Sequence, residues 1–263
     1  MSGHRKSRLV TCYPLYSTHA YLWPLLAPLE SYEQEMSEWC EVIERELPGR
    51  ENLRILDLGT GGGHHLYHLL NQLPGRASAV AVDLAAEMLE RVEELVPRVE
   101  CLQHDMTTLR LGQRFPLIAV HDSFCYLTCR SEIEALFSVL FEHLEDSGLA
   151  LVKVDAVKDS FCGPYRYLTN FEQDDFDITL THYEWDPIAE DTTLEVIYLF
   201  LERSGAQVET RQERHTLGLF AKSDLVQWAA NQGLQADFYD LEPWDEEREN
   251  LLLILKKLGS KAS

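Results

Sequence analysis

The sequence is short of positive charge, of paired cysteines and of long apolar runs, and each shortage removes a class of function. Twenty-three Lys and Arg stand against 44 Asp and Glu in 263 residues, a net charge of −21. So anionic a chain repels the polyanion it would have to neutralise, which excludes nucleic-acid binding through phosphates and argues equally against an anionic membrane surface. No run reaches the roughly 18 apolar residues of a membrane span. The start, MSGHRKSR, leads into neither the apolar core nor the small-residue cleavage site of a signal peptide. The six cysteines, Cys12, Cys40, Cys101, Cys125, Cys129 and Cys162, form no C-x-x-C pair. They read as reduced thiols of a cytoplasmic protein, with no zinc knuckle and no disulfide framework. Gly and Pro number only 14 and 10, and internal repeats and low-complexity segments are absent.

What is present is a soluble, globular pattern, 45% hydrophobic. Ser31 to Leu47 has helical spacing, with Met36, Trp39, Cys40, Ile43 and Leu47 on one stripe, and Pro48-Gly49 ends it. Short apolar runs then alternate with helical ones. The runs at 54–58, 78–83, 99–104, 117–121 and 149–155 predict strands, and 65–73, 87–95 and 132–144 predict helices between them. Such alternation implies parallel pairing through crossover helices, hence an open doubly wound α/β sheet with ligands at the carboxyl ends of its strands. After Asp155 the rhythm changes: 177–185, 194–202 and 207–214 predict three strands of an inserted antiparallel sheet. Helical spacing returns at 224–232, where Ser223 is placed to cap and Gly233 to close. Segments 235–241 and 251–255 bring the main sheet to seven strands.

The chemistry concentrates where the first strand ends, in Asp57-Leu-Gly59-Thr60-Gly61-Gly-Gly63-His-His65. A strand delivering the chain into a glycine-rich turn that opens a helix brings backbone amides close to a ligand. The G-x-G-x-x-G of a dinucleotide site fails, because its third glycine falls on His64 or Leu66. The pattern is instead D-x-G-x-G-x-G, and further carboxylates follow at Asp83, closing the second strand, and at Asp105, after the third. His64, His65 and His68 suggest a metal cluster, but polar residues at a cofactor loop have their own uses, and no metal is expected.

This pattern resembles motif I of the class I S-adenosylmethionine-dependent methyltransferases. The resemblance implies a seven-stranded Rossmann-like sheet and S-adenosyl-L-methionine as cofactor, with S-adenosyl-L-homocysteine as product. It assigns cofactor contacts to Asp57, Gly59, Thr60, Gly61, Gly63 and His65. Asp83 falls where a carboxylate accepts the ribose hydroxyls, Leu84 and Met88 where the adenine is flanked, and Asp105-Met106 where its amino group and ring are met. His121 ends the fourth strand beside the transferable methyl. Within that family, the sequence is most similar to the amino-sugar N,N-dimethyltransferases, with the glycine N-methyltransferases more distant. Gly63-His64-His65-Leu66 is similar to the group's G-x-H-L, Tyr13 to Leu26 to its N-terminal lid, and Glu213-Arg214-His215-Thr216-Leu217-Gly218-Leu219-Phe220 to its E-S-H-x-x-x-L-F segment. The implied organisation is a lid and covering helix (1–50), a cofactor domain (51–157 and 221–258) and an inserted sheet (158–220) that in relatives often meets a partner subunit, giving a homodimer. The basic start, Arg5, Lys6 and Arg8, is expected to be disordered.

One departure bears on the substrate. Where the sugar enzymes carry a histidine near the accepting amine, this chain has Tyr126, and a new His121-Asp122 pair precedes it. From 155 to 220 there are 14 acidic residues and five basic ones, whereas a nucleotide diphosphate calls for convergent Arg or Lys. An acidic vestibule attracts a cationic amine instead. The expected acceptor is therefore a small amine. His121, Asp122 or an ordered water would take its proton, with Tyr16, Tyr21 and Tyr126 orienting it and His182 or His215 reaching in from the insertion. The alternatives are O-methylation of a small hydroxylated metabolite, and a regulatory module that binds the cofactor or its product without catalysis.

Overall fold

The computed structural model describes residues 12–97, 99–173, 175–243 and 248–259; Arg5, Lys6 and Arg8 lie outside them. The lid consists of single 3-10 turns at Pro14–Tyr16 and Ala20–Leu22, followed by α1 (Trp23–Leu26). After α2 (Glu33–Glu46), strands and helices alternate: β1 (Arg54–Leu58), α3 (His64–Gln72), β2 (Ser78–Asp83), α4 (Ala86–Leu95), β3 (Glu100–Gln103), β4 (Phe115–Val120), α5 (Arg130–His143) and β5 (Leu144–Val154). Four antiparallel strands follow, β6 (Tyr165–Gln173), β7 (Phe176–Trp185), β8 (Thr193–Ser204) and β9 (Gln207–Gly218), before α6 (Lys222–Asn231), β10 (Leu234–Asp240) and β11 (Leu251–Lys257) close the chain.

The seven-stranded sheet has the order β3-β2-β1-β4-β5-β11-β10, parallel from β3 to β5, with β11 antiparallel to both its neighbours. Its central strands are buried on both faces, as a sheet with helices on both sides requires. Alternation along each strand sorts residues between two cores. Leu56, Leu58, Ile118 and Val120 face Ile133, Phe137 and Leu140 of α5 and Trp228 of α6. Ile55, Leu117, Leu149 and Leu151 face Trp39 and Ile43 of α2 and Leu66 and Leu69 of α3. Strand order reverses between β1 and β4, so the crevice for a ligand opens at their carboxyl ends.

The α/β sheet and the antiparallel insertion agree with the sequence reading, with two local differences. The inserted sheet has four strands, in the order β6-β7-β8-β9, where three were expected. The additional strand, β6, lies at the sheet edge and pairs on one side only, so its mixed sequence, YRYLTNFEQ, shows no sustained apolar alternation. Ser223 does not cap α6. The helix begins two residues earlier than expected, at Lys222 behind Ala221, and Asp159 accepts the Lys222 amide at 2.8 Å; the cap comes from a residue distant in sequence. Gly233 does terminate that helix, at φ +81°. All six cysteines are free thiols. Among the described residues, no helix is long and apolar enough to cross a membrane.

Candidate active site

At the carboxyl ends of β1, β2 and β4, under the lid, lies a cavity of about 520 Å³, ample for a nucleoside-sized ligand. Its floor is the glycine-rich loop. Gly59 and Thr60 both donate backbone N–H groups to Val82 O, at 2.7 and 3.0 Å, and Gly61 donates to Asp83 Oδ2 at 2.8 Å, so the turn is stitched to the end of β2. Gly59 holds φ +69°, and a Cβ there would sit 2.2 Å from the Ser123 hydroxyl, which itself donates to Leu58 O. Only glycine satisfies both constraints. Asp83 is a fixed two-point acceptor, since its second oxygen takes the Ala85 N–H at 2.9 Å; burial raises its pKa. Asp105 is braced by the Thr107 amide and hydroxyl, both at 2.7 Å.

Three buried polar atoms of residues lining this floor have no hydrogen-bond partner among the described residues: Trp23 Nε1, Thr60 Oγ1 and His64 Nδ1. Leaving such atoms unsatisfied costs about 1–3 kcal/mol each. Trp23 belongs to the lid and packs against the loop, 2.5 Å from where a Cβ on Gly62 would lie. Burial lowers the pKa of His64, so its ring is neutral at pH 7. An indole N–H, a hydroxyl and a neutral imidazole around glycine amides suit the charged amino-acid end of S-adenosylmethionine, while Asp83 and Asp105 suit its ribose and adenine.

Beyond the end of β4 the wall becomes ionic. His121 Nε2 lies 2.7 Å from Glu35 Oε1 and its Nδ1 3.1 Å from Asp122 Oδ2. Buried Lys153 reaches Asp155 at 3.1 Å, Glu35 at 3.5 Å and Asp122 at 4.0 Å. Burial would push the His121 pKa down, but Asp122 and Glu35 outweigh it and hold it at about 10. Burial likewise opposes charge on Asp122, yet His121 and then Lys153 keep its carboxyl far below the usual carboxylate range. His121 is therefore a cation at neutral pH and Asp122 an anion, neither disposed to take a proton. Asp122 sits at φ +50° and turns 42% of its side-chain surface toward the cavity.

The lid supplies the remaining wall. Tyr16 Oη meets Tyr126 Oη at 2.6 Å, and Tyr126 Oη lies 3.0 Å from His215 Nδ1. Burial drives both tyrosine pKa values well up, so both hydroxyls stay protonated.

Most of the expected site residues converge on this cavity: Gly59, Thr60, Gly61, Gly63 and His65 from the loop, Asp83, Leu84, Asp105 and Met106 from the next strand ends, and His121, Asp122, Tyr126 and Tyr16 from the ionic wall and lid. Five do not line it. Asp57 points to the α2/α3 side of the sheet, as alternation along β1 dictates, and holds His65 Nε2 at 2.9 and 3.0 Å from its two oxygens. Met88 is fully buried beneath Ala20 and Ala85. Tyr21 is 50% exposed outside the cavity, accepting from Arg211 at 2.7 Å. His182 pairs with Glu184 at 3.1 Å between the rings of Tyr167 and Tyr198. His215 is wholly buried behind Tyr126, beneath the stacked ring of Tyr13. Sequence reasoning missed Trp23, Glu35 and Lys153. Lys153 had a signal, a cation in the apolar run Leu149–Val154; Glu35 had none among the glutamates of α2.

Residues 55–148 match the family model described as a methyltransferase domain. Over 125 residues the chain is 28% identical to the dTDP-3-amino-3,4,6-trideoxy-alpha-D-glucopyranose N,N-dimethyltransferase of Streptomyces venezuelae, a match spanning 47% of this chain and 51% of that relative. The chain thus spans about half the length of that curated relative. Two solved structures share the fold over nearly the whole molecule. The sugar N-methyltransferase KedS8 of a Streptoalloteichus species superposes with a TM-score of 0.78 at 17% identity, covering 98% of each chain. CalS10, an amino pentose methyltransferase from Micromonospora echinaspora solved with S-adenosylmethionine bound, gives 0.76 at 18%, covering 91% of this chain and 96% of its own. With the glycine loop, the strand-end carboxylates and the inserted sheet all in place, residues 55–148 form a methyltransferase domain, and the chain has the fold of S-adenosylmethionine-dependent methyltransferases.

Proposed function

We propose that the chain transfers a methyl group from S-adenosylmethionine to the nitrogen of a small cationic amine. The observation that carries this reading is the ionised Asp122 facing the cavity where β4 ends. Glu35, Asp122 and Asp155 are three carboxylates against two cations, His121 and Lys153, and the uncompensated charge favours an ammonium group. No Lys or Arg lies among the described lining residues. The arginines of the inserted sheet are engaged: Arg203 with Asp177, Arg211 with Glu202, Arg214 with Glu195, and Arg166 over the Tyr183 ring. None of these is left for the diphosphate that the Streptomyces relative's acceptor carries.

When bound, S-adenosylmethionine supplies an activated methyl group on a sulfonium centre. The chain's own residues align and dehydrate the acceptor. Trp23, Thr60 and His64 hold the amino-acid end of the cofactor, Asp83 and Asp105 the nucleoside end, and Asp122 draws in the ammonium. Incubation with methyl-labelled cofactor and a panel of glycine, ethanolamine, small polyamines and the amino-sugar nucleotide is expected to label a small amine. Labelling of the sugar nucleotide alone overturns the acceptor class, and cofactor binding without transfer to any acceptor supports the regulatory reading. The outer face of the insertion, with Leu168, Leu199 and Leu201 exposed, is the surface we assign to a homodimer.

A further inference from the structure

An ammonium acceptor must lose a proton before its nitrogen can attack, and the two charged groups beside it, His121 and Asp122, are each locked by a partner. The proton has another way out. Tyr16 and Tyr126, in hydroxyl contact at 2.6 Å, line the cavity. Tyr126 meets His215 Nδ1 at 3.0 Å, His215 Nε2 lies 3.4 Å from Glu213 Oε2, and Glu213 Oε1 lies 2.8 Å from His19 Nδ1. The His19 side chain is 22% exposed. The contacts are continuous from cavity to surface, through a histidine with no solvent access of its own.

The chain of contacts also has a direction. An Nε2–H on His215 donates to Glu213 and leaves Nδ1 to accept from Tyr126, whose oxygen then accepts from Tyr16. The opposite tautomer would set a lone pair of Nε2 against the carboxylate. The side chains around the His215 ring are Tyr13, Tyr16, Tyr126 and Tyr198, with Glu213 the one carboxylate among its described contacts. Glu213 also accepts the Leu15 N–H at 3.0 Å, which ties the lid to β9 and sets Tyr16 over Tyr126.

We infer that Tyr16, Tyr126, His215, Glu213 and His19 form a proton relay that carries the acceptor's proton from the cavity to solvent. The inference rests on the amine reading above. The amine N–H passes its proton to the Tyr16 oxygen as the Tyr16 proton moves to Tyr126, the Tyr126 proton to His215 Nδ1, and the Nε2 proton to Glu213; the carboxyl then turns its O–H toward His19, which in its Nε2–H tautomer accepts at Nδ1 as its Nε2 proton leaves to water. The freed nitrogen lone pair forms the N–C bond as the C–S pair returns to sulfur. Rotation of the two hydroxyls and a flip of the His215 ring, which returns its proton to the Glu213 side, reset the relay, and one proton leaves per methyl transferred. Tyr16 is the catalytic residue that touches the acceptor; the others act through it.

Two measurements test this. In protein labelled with 15N-histidine and saturated with S-adenosylhomocysteine, His215 is expected as the Nε2–H tautomer with Nδ1 accepting; an Nδ1–H tautomer overturns the relay. With the amine that wild type methylates fastest in the panel above, His215→Ala is expected to lose about a hundredfold in kcat, the scale of a lost proton-transfer group. Its S-adenosylhomocysteine affinity should hold within about threefold, and added imidazole should restore turnover. Glu213→Gln keeps an acceptor for Leu15 N–H and guards against a folding defect; it is expected to slow kcat and flatten the solvent-isotope dependence without changing cofactor affinity. Wild-type kcat in both variants overturns the relay. If wild type methylates no amine, it is the amine reading that fails, and the His215 tautomer alone still decides whether the relay exists.

Discussion

The two halves of the cavity are assembled by different forces. At the glycine-rich loop the contacts are short in sequence and made largely by backbone: Gly61 reaches Asp83 across 22 positions, and His65 returns to Asp57 across eight. Beyond β4 they are long and carried largely by charge: His121 meets Glu35 across 86 positions, and Lys153 reaches the same Glu35 at 3.5 Å. Backbone amides stitched to a neighbouring strand hold their shape whatever the pH. A buried cluster of carboxylates and cations holds only while every member is ionised and present, because each ion has given up its water. The shape of the cofactor half is therefore expected to survive changes of charge, which act there on ligand affinity through Asp83, whereas the acceptor half is governed by them as a fold.

The largest effect should come from breaking the second half. Lys153→Met leaves Glu35, Asp122 and Asp155 crowded around a missing cation, and loss of one partner from a buried ionic cluster typically costs about 3–5 kcal/mol. Urea unfolding should show that loss, and adding Asp155→Asn should recover part of it. A cost below about 1 kcal/mol, the value of an exposed pair, would mean that the cluster is well solvated and the contrast between the halves false.

Next comes the first half. Asp83→Ala removes a charged acceptor from the Gly61 amide and from the ribose, and hydrogen bonds to charged groups are worth about 1.5–3 kcal/mol. Calorimetric affinity for S-adenosylhomocysteine is expected to fall roughly tenfold to a hundredfold, whereas Lys153→Met, if folded, should bind it nearly as wild type does. Equal losses in both variants would show that the halves do not act separately.

The pH response sharpens the same contrast. Burial opposes ionisation of Glu35 and Asp122, but His121 and then Lys153 keep both pKa values below the carboxylate range. Their stabilisation is complete above about pH 4 to 4.5, the unfolded values, and is lost as pH falls through the folded ones. The folded pKa of His121, raised to about 10 against its burial, gives a contribution that is full below about 6.5 and drains away as pH climbs through about 10. Thermal unfolding should thus show an alkaline loss of stability in wild type that is shallower in His121→Gln. Parallel curves would remove His121 from the cluster.

The contrast also explains what could be read before the structure. Gly59, Gly61, Asp83 and Asp105 follow one another along strand-turn-helix units, so local spacing and a family resemblance locate them. Asp57 was legible as a residue but not in its direction, which depends on which face of β1 it shares with Ile55. Glu35 cannot be found by spacing, since nothing distinguishes it from its neighbours on α2 until β4 and β5 are packed beneath that helix. Lys153 was visible as an anomaly, on the same strand face as Leu149 and Leu151, without any indication of the three carboxylates it meets. The edge strand β6 escaped because pairing on one side imposes little pattern.

The smallest effect is expected at Tyr21, one of the tyrosines expected from the sequence to orient the acceptor. Its hydroxyl accepts from Arg211, and the Arg211 guanidinium, raised in pKa despite partial burial by Tyr21 and Glu202, remains paired with Glu202 when that hydroxyl is removed. The ring itself is 50% exposed, on the solvent side of the lid. Tyr21→Phe should change stability by no more than about 0.5 kcal/mol, as exposed substitutions usually do. Cofactor affinity and the KM for the methylated amine should stay within about twofold of wild type. A rise in that KM of tenfold or more would move the acceptor out of the cavity to the rim between the lid and β9. The ionic wall at Asp122 would then serve the fold alone, and the comparison between a backbone-built cofactor half and a charge-built acceptor half would have to be redrawn around Arg211 and Glu202.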